Sequence, residues 1–197
     1  LLCEDLILGL PFTKLTSIEQ LAITKRLLIK LNSSPSIELP NQKVNTWFEN
    51  FYVLLKDERS NKIIHLEDDI LEQFKEVSVA WLHGDLFGEN MVIQKNLSEV
   101  LIDFDKVEVA PAFTELFTLF VFEARSQRTT LLEAFFDGYF DEDFKSFGLD
   151  ICNNLERKFA VFIAWLAWKQ INETFEEINL IRFYSVINNQ LERLKGK

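Results

Sequence analysis

Apolar residues recur every three or four positions through most of the chain, which is the spacing of amphipathic helices. Ser17, with Gln20 three residues later, forms a capping-box pattern that predicts the start of a first helix ending near Leu31. The other predicted helices cover residues 47–55, 66–74, 113–124, 131–140, 149–175 and 177–194. Nineteen phenylalanines predict that these helices pack through aromatic side chains.

The hydrophobic period changes in the middle of the chain. Val77, Val79 and Trp81 alternate with other residues, as in a short strand, and a polar loop containing two glycines follows over residues 83–90. Two short apolar runs, 91–93 and 100–104, flank a polar turn and predict a hairpin. The predicted fold is therefore mainly α with a small β-hairpin.

Composition excludes several classes of function. The net charge is −10, and lysines and arginines form no basic stripe, so a nucleic-acid partner is not expected. No apolar run reaches the roughly 18 residues of a membrane helix, so no membrane partner is expected. Two cysteines and two histidines without clustering argue against structural zinc and favour a reducing, cytoplasmic compartment.

The candidate chemistry lies in the polar loop and just after the hairpin. The loop reads His83-Gly84-Asp85-Leu86-Phe87-Gly88-Glu89-Asn90, and Ile102-Asp103-Phe104-Asp105 follows across the hairpin. Phosphoryl transfer requires metal ions that neutralise phosphate oxygens and a group that orients the attacking hydroxyl. Mg²⁺ prefers carboxylate, amide and water oxygens, which this pattern offers. The simpler alternative is a capped turn with solvated carboxylates.

These motifs resemble the catalytic and metal-binding loops of the small-molecule branch of the protein-kinase-like fold, the aminoglycoside phosphotransferase and choline kinase family. The resemblance implies that Asp85 is the catalytic base or orients the acceptor hydroxyl, and that His83 braces the catalytic loop. It also implies that Asn90 and Asp103 bind Mg²⁺, with Asp105 touching the metal through water. The implied substrates are ATP or GTP and a small molecule with a hydroxyl group.

The resemblance extends beyond these motifs. Residues 1–10 resemble the hinge between the kinase lobes, where Cys3, Glu4 and Asp5 would face the adenine, and Glu115 stands where relatives have an Asp that braces the catalytic loop. Residues 11–197 would then form the helical C-terminal lobe, with the catalytic loop over 83–90 and the metal-binding hairpin over 91–105. The N-terminal lobe is expected to be absent, so we expect this chain alone to be inactive and to self-associate or bind an N-lobe partner.

The acceptor of the family binds among the C-terminal helices. Carboxylates there would suit an amine-bearing acceptor and tryptophans a cationic group or ring. The candidates are Asp137, Asp141, Glu142, Asp143, Glu156, Trp165 and Trp168. The alternative is a solvated acidic turn beside core tryptophans. Two other functions also remain open: a non-catalytic kinase-like binding or scaffold module, and a kinase acting on proteins.

Overall fold

The chain folds into helices and two small sheets, as seen in a computed structural model that describes residues 9–33, 77, 79–86, 90–96, 98–125, 128–172 and 181–196. The helices in these ranges are α1 (Ser17–Ser33), α2 (Thr114–Arg125), α3 (Thr130–Phe136), α4 (Asp141–Ser146), α5 (Leu155–Asn172) and α6 (Ile181–Lys195), and a 3-10 helix spans Phe12–Lys14. The strands are β1 (Leu10–Pro11), β2 (Val79–Leu82), β3 (Met91–Ile93), β4 (Glu99–Leu101) and β5 (Glu108–Pro111). The helices predicted over 47–55 and 66–74 lie outside the described residues.

The predicted hairpin is present as β3 and β4, but it belongs to a larger set of strands. β1 pairs with β3 to give a three-stranded antiparallel sheet, and β2 pairs with β5 in a second sheet. The second hairpin strand, predicted over 100–104, ends at Leu101. Asp103 adopts a left-handed conformation with φ of 63°, which cannot continue a strand.

The hairpin is fastened to α1 by charged side chains. Glu99 of β4 forms ion pairs with Lys30 and with Arg26, whose nitrogen lies 3.5 Å from the Glu99 carboxylate. Burial of Glu99 opposes its ionisation, but the hydrogen bond from Lys30 and the two positive charges outweigh burial and lower its pKa. These pairs hold the hairpin, which the candidate metal ligands flank, against α1.

The capping box of α1 lies one residue earlier than predicted. The Thr16 amide donates to Glu19 Oε2 at 2.8 Å, and the Glu19 amide donates to Thr16 Oγ1 at 3.4 Å. The predicted partner Gln20 is instead buried, and its side-chain amide donates to the Phe12 carbonyl at 3.0 Å. Thr16 and Glu19 have the same spacing as Ser17 and Gln20, so the sequence pattern alone did not separate them.

Two helices of the second half are shorter than predicted. The helix predicted over 131–140 ends at Phe136, because Gly138 has a φ of 93° and a turn separates α3 from α4. The helix predicted over 149–175 begins only at Leu155, since Asn153 has a φ of 52° and the Asn154 side chain accepts a hydrogen bond from the Arg157 amide at 3.0 Å. Apolar spacing continues through both interruptions, which explains the overlong predictions.

The aromatic packing predicted from composition is confirmed. Phe117 of α2 is fully buried, and its ring centroid lies 5.4 Å from Phe135, 5.3 Å from Phe162 and 5.3 Å from Trp165. Rings from α2, α3 and α5 thus meet in one core. Within the described ranges, no helix has both the length and the apolar character needed to cross a membrane.

Candidate active site

The pairing of β2 with β5 determines where the catalytic loop lies. Leu82, the last residue of β2, is opposite Glu108, the first residue of β5. The residues that follow Leu82 therefore run beside those that precede Glu108. Gly84 has a φ of 77°, and a Cβ atom on it would lie only 1.9 Å from the Lys106 carbonyl oxygen. Glycine is required here both by conformation and by this close approach.

His83 connects the catalytic loop to the segment that follows the hairpin. Its ring is buried, and Nε2 lies 2.7 Å from the Ile102 carbonyl oxygen, immediately before Asp103. Because a carbonyl can only accept a hydrogen bond, Nε2 carries the proton that is donated. The ring also packs against Phe104, with 4.7 Å between centroids. Both contacts hold the ring between the catalytic loop and the residues around Asp103, and the bracing role of His83 stays a prediction.

Glu115 makes the bracing contact expected at its position. It lies in the first turn of α2, which begins directly after β5, and its side chain is buried. Glu115 Oε1 accepts a hydrogen bond from the Gly84 amide at 2.9 Å. The longer side chain of Glu in place of Asp therefore reaches the catalytic loop. This hydrogen bond links the first turn of α2 to the loop.

Asp85 lies at the edge of this loop with a carboxylate that is 20% exposed. Its Oδ2 lies 3.1 Å from Nζ of Lys106, an ion pair that the sequence analysis did not predict. The Asp85 carbonyl accepts a hydrogen bond from Asn90 Nδ2 at 3.0 Å. Lys106 directly follows Asp105 in the sequence, and this position next to the second motif is the only feature of the sequence that points to the ion pair with Asp85.

Asn90 and Asp103 lie at the same end of the β3–β4 hairpin. The Ile102 amide donates to the Asn90 carbonyl at 3.0 Å, so Asp103 follows the residue paired with Asn90. Asn90 Nδ2 donates its hydrogen bond to the Asp85 carbonyl, so Oδ1 is the side-chain atom that could bind a metal. Asp103 and Asp105 are both exposed.

This donor set fits Mg²⁺. One carboxylate and one amide oxygen are typical of magnesium sites that take their other ligands from phosphates and water. No cluster of three or more His, Cys, Asp or Glu residues that could hold a metal occurs in the described part of the chain. The described residues therefore contain no metal site that is built from protein side chains alone. A Mg²⁺ ion that takes its other ligands from phosphates and water would need only Asn90 and Asp103 from the protein.

The predicted adenine-facing residues Cys3, Glu4 and Asp5 lie outside the described residues. A cleft of about 740 Å³ is lined by Gly9, Leu10 and Leu15 together with Ile93 and the turn that follows it. This turn is at the opposite end of the hairpin from Asn90 and Asp103. The cleft is therefore separate from the loop–hairpin junction where the candidate catalytic residues meet.

The acidic residues proposed for the acceptor have partners within the fold. Asp141 is buried and lies 2.7 Å from Nζ of the buried Lys158, and Asp143 lies 3.6 Å from Nζ of Lys25. Burial raises the pKa of Asp143 despite the opposing charge of Lys25. Asp137 lies 3.6 Å from Arg193. These contacts favour the alternative interpretation, in which the acidic turn is structural.

The remaining acceptor candidates, where the structure describes them, do not form a binding pocket for a cationic acceptor. Trp165 is buried in the aromatic core, where its ring packs against Phe117 and Phe162. Glu142 and Glu156 are exposed, and the side chain of Trp168 is outside the described residues. The described side chains therefore give no aromatic box for a cationic acceptor among these candidates.

We expect Gly84→Ala to destabilise the protein by about 3 kcal/mol or more, because the new methyl group overlaps a backbone carbonyl that cannot rotate away. Gly138→Ala is the matched control. Gly138 also has a positive φ, but its nearest neighbours are side-chain atoms of Asp141 and Lys158 at 3.2 and 3.4 Å. The control should lose only about 1–2 kcal/mol, the cost of the left-handed conformation. Equal losses in urea unfolding would contradict the close approach of the two loops.

Comparisons with known proteins identify the family of this chain. Residues 31–149 match the model of the phosphotransferase enzyme family, APH. The chain belongs to this family, as the resemblance of its motifs predicted, and the matched region contains the catalytic loop, the hairpin and Glu115. The choline kinase LicA from Streptococcus pneumoniae has a similar structure with a TM-score of 0.38 and 14% sequence identity, covering 94% of this chain and 67% of that one. No curated protein matches the sequence significantly.

Proposed function

We propose that this chain carries the acceptor-activating and metal-binding residues of a small-molecule kinase. The kinase transfers the γ-phosphoryl group of ATP or GTP to a hydroxyl group of a small, amine-bearing molecule. The observation that supports this most strongly is the double link between the two motifs. His83 bonds to the Ile102 carbonyl and the Ile102 amide bonds to Asn90, so Asp85, Asn90 and Asp103 share one edge of the protein.

In this proposal Asp85 orients the acceptor hydroxyl and receives its proton. The acceptor oxygen forms a bond to the γ-phosphorus as the bond from phosphorus to the bridging oxygen breaks, and that electron pair leaves with the nucleoside diphosphate. Asn90 Oδ1 and the Asp103 carboxylate would hold Mg²⁺, and Asp105 would act through water. When bound, the metal neutralises charge on the phosphate oxygens.

We also propose that the helices form the C-terminal lobe of a kinase-like fold, with residues 1–10 as the hinge and Cys3, Glu4 and Asp5 facing the adenine. Kinases of this fold cover the phosphates with a glycine-rich loop and a strand lysine. In this sequence Gly9 is the only glycine before Gly84. Other residues of the protein, or a partner chain, would then supply those elements.

The test is a calorimetric titration of the 197-residue chain with ATP, with and without Mg²⁺, combined with an assay of nucleotide hydrolysis. We expect weak binding that requires Mg²⁺, disappears in Asp103→Ala and persists in Glu133→Gln, which changes an exposed carboxylate on α3. We expect no turnover, because much of the electrostatic stabilisation of the phosphates would be missing.

Three other outcomes would be informative. Turnover that Asp103→Ala abolishes would support the kinase assignment but contradict the proposed missing elements. Binding that neither Mg²⁺ nor Asp103→Ala changes would contradict the metal site. Failure to bind any nucleotide, also in the presence of the proposed phosphate-covering elements, would favour a non-catalytic binding or scaffold module.

A further inference from the structure

Lys106 is placed against Asp85 by the backbone and not only by its own flexible side chain. The β2–β5 register brings residues 83–85 alongside the turn that contains Lys106, and the Lys106 carbonyl lies against Gly84 so closely that no side chain fits between them. The hydrogen bond from His83 to the Ile102 carbonyl also links the catalytic loop to the segment that leads into this turn. The 3.1 Å contact between Lys106 Nζ and Asp85 Oδ2 thus joins two segments whose backbones are already fixed together.

The charged side chains of the two motifs that meet at this contact are negative. Asp85, Asp103 and Asp105 lie in the two motifs, and Lys106 is the only lysine or arginine between Lys95 and Arg125. The Asp85 carboxylate is repelled by the neighbouring negative charges, and a cation in contact with it reduces that repulsion. The contact between Lys106 and Asp85 is present in the folded protein, so the ammonium group reduces the repulsion without reorganisation during the reaction.

We propose that Lys106 is a positioning residue for Asp85, which rests on the function proposed above. Its ammonium group holds Asp85 Oδ2, so that Oδ1 is the oxygen that receives the hydrogen bond and the proton of the acceptor hydroxyl. Lys106 acts on the acceptor through Asp85 and has no part in binding the nucleotide. Its removal therefore affects turnover and leaves nucleotide affinity unchanged.

The test compares Lys106→Met and Lys106→Arg in the active form of the proposed kinase. We expect Lys106→Met to lower kcat about 30- to 300-fold, around the lower end of the roughly 10²- to 10³-fold range for loss of one preorganised electrostatic contact, because the Lys106 side chain is exposed. The KM for the nucleotide should change less than about threefold, since a residue acting only in the transition state leaves ground-state binding intact. Lys106→Arg keeps the charge and should recover most of kcat.

Lys95→Met is the matched control, because Lys95 is also exposed and lies in the turn at the other end of the hairpin. It should leave kcat unchanged. The melting temperatures of both variants should stay within about 3 °C of the parent, since an exposed ion pair contributes little to folding. A larger shift in Lys106→Met alone would indicate a structural role.

A double-mutant cycle distinguishes positioning from an independent role. In the Asp85→Asn background, Lys106→Met should lower kcat less than about threefold, because the carboxylate it positions is no longer there. Additive losses would overturn the proposal, as would a normal kcat in Lys106→Met alone. If Asp85→Asn itself leaves turnover intact, the failure belongs to the proposed function and not to Lys106.

Discussion

Asp85→Asn should lower kcat by about 10²- to 10⁴-fold in the proposed kinase, the range that a positioned general base contributes. Asparagine keeps the shape of the side chain but cannot take the proton of the acceptor hydroxyl. The affinity for the nucleotide should change little, because in the proposed arrangement Asp85 meets the acceptor. Steady-state kinetics with both substrates varied, together with nucleotide titration, measure the two quantities separately.

Asp150→Asn is a suitable control for this change. Asp150 is exposed, and its side chain accepts a hydrogen bond from the Cys152 amide at 3.2 Å, which asparagine can also do. The control should retain full turnover. If Asp85→Asn reduced turnover and nucleotide affinity equally while the protein stayed folded, Asp85 would be a structural part of the loop and the assigned role would be wrong.

Asp103→Ala should remove most activity, with kcat lower by at least about 10²- to 10³-fold. It should also abolish the Mg²⁺-dependent part of nucleotide binding, because the only carboxylate proposed to bind the metal directly is lost. Asp103→Asn keeps an oxygen ligand and tolerates the left-handed conformation, so it should retain more activity than Asp103→Ala. Titration with the nucleotide at several Mg²⁺ concentrations measures the binding effect.

The backbone conformation of Asp103 requires its own control. Alanine at a φ of 63° costs about 1–2 kcal/mol regardless of any metal. Asn153→Ala introduces the same strain at a φ of 52°, in the loop before α5. If Asn153→Ala and Asp103→Ala lost the same stability and only the latter lost activity, strain would be excluded as the cause. Near-normal turnover in Asp103→Ala would rule out its proposed role.

The candidate site was predictable where its chemistry is local in sequence. Asp85 and Asn90 lie in one short loop, and the strands β3 and β4 are adjacent, so a hairpin pattern was enough to bring Asp103 back to Asn90. The Lys106–Asp85 pair depends instead on the register of β2 with β5. A strand of four residues that ends in Pro111 gave no clear alternation, so neither the pairing nor the contact could be predicted.

The helical part shows a different limit of sequence reasoning. Apolar spacing identified the core helices, but it does not detect left-handed residues such as Gly138 and Asn153, which end them. Spacing also cannot show that Lys25 and Lys158, distant in sequence, neutralise the carboxylates of Asp143 and Asp141. The acidic turn therefore suggested an acceptor pocket until its ion pairs were known.

The most direct test of the central claim locates the metal. Mn²⁺ replaces Mg²⁺ in many oxygen-ligand sites and broadens the NMR signals of nearby nuclei, so it can be added with ATP to the ¹⁵N-labelled 197-residue chain. We predict that broadening centres on the amides of Asn90 and residues 102–104, and that Asp103→Ala removes it. Broadening centred on the acidic residues of α4, or unchanged in Asp103→Ala, would contradict a metal–nucleotide site at the loop–hairpin junction.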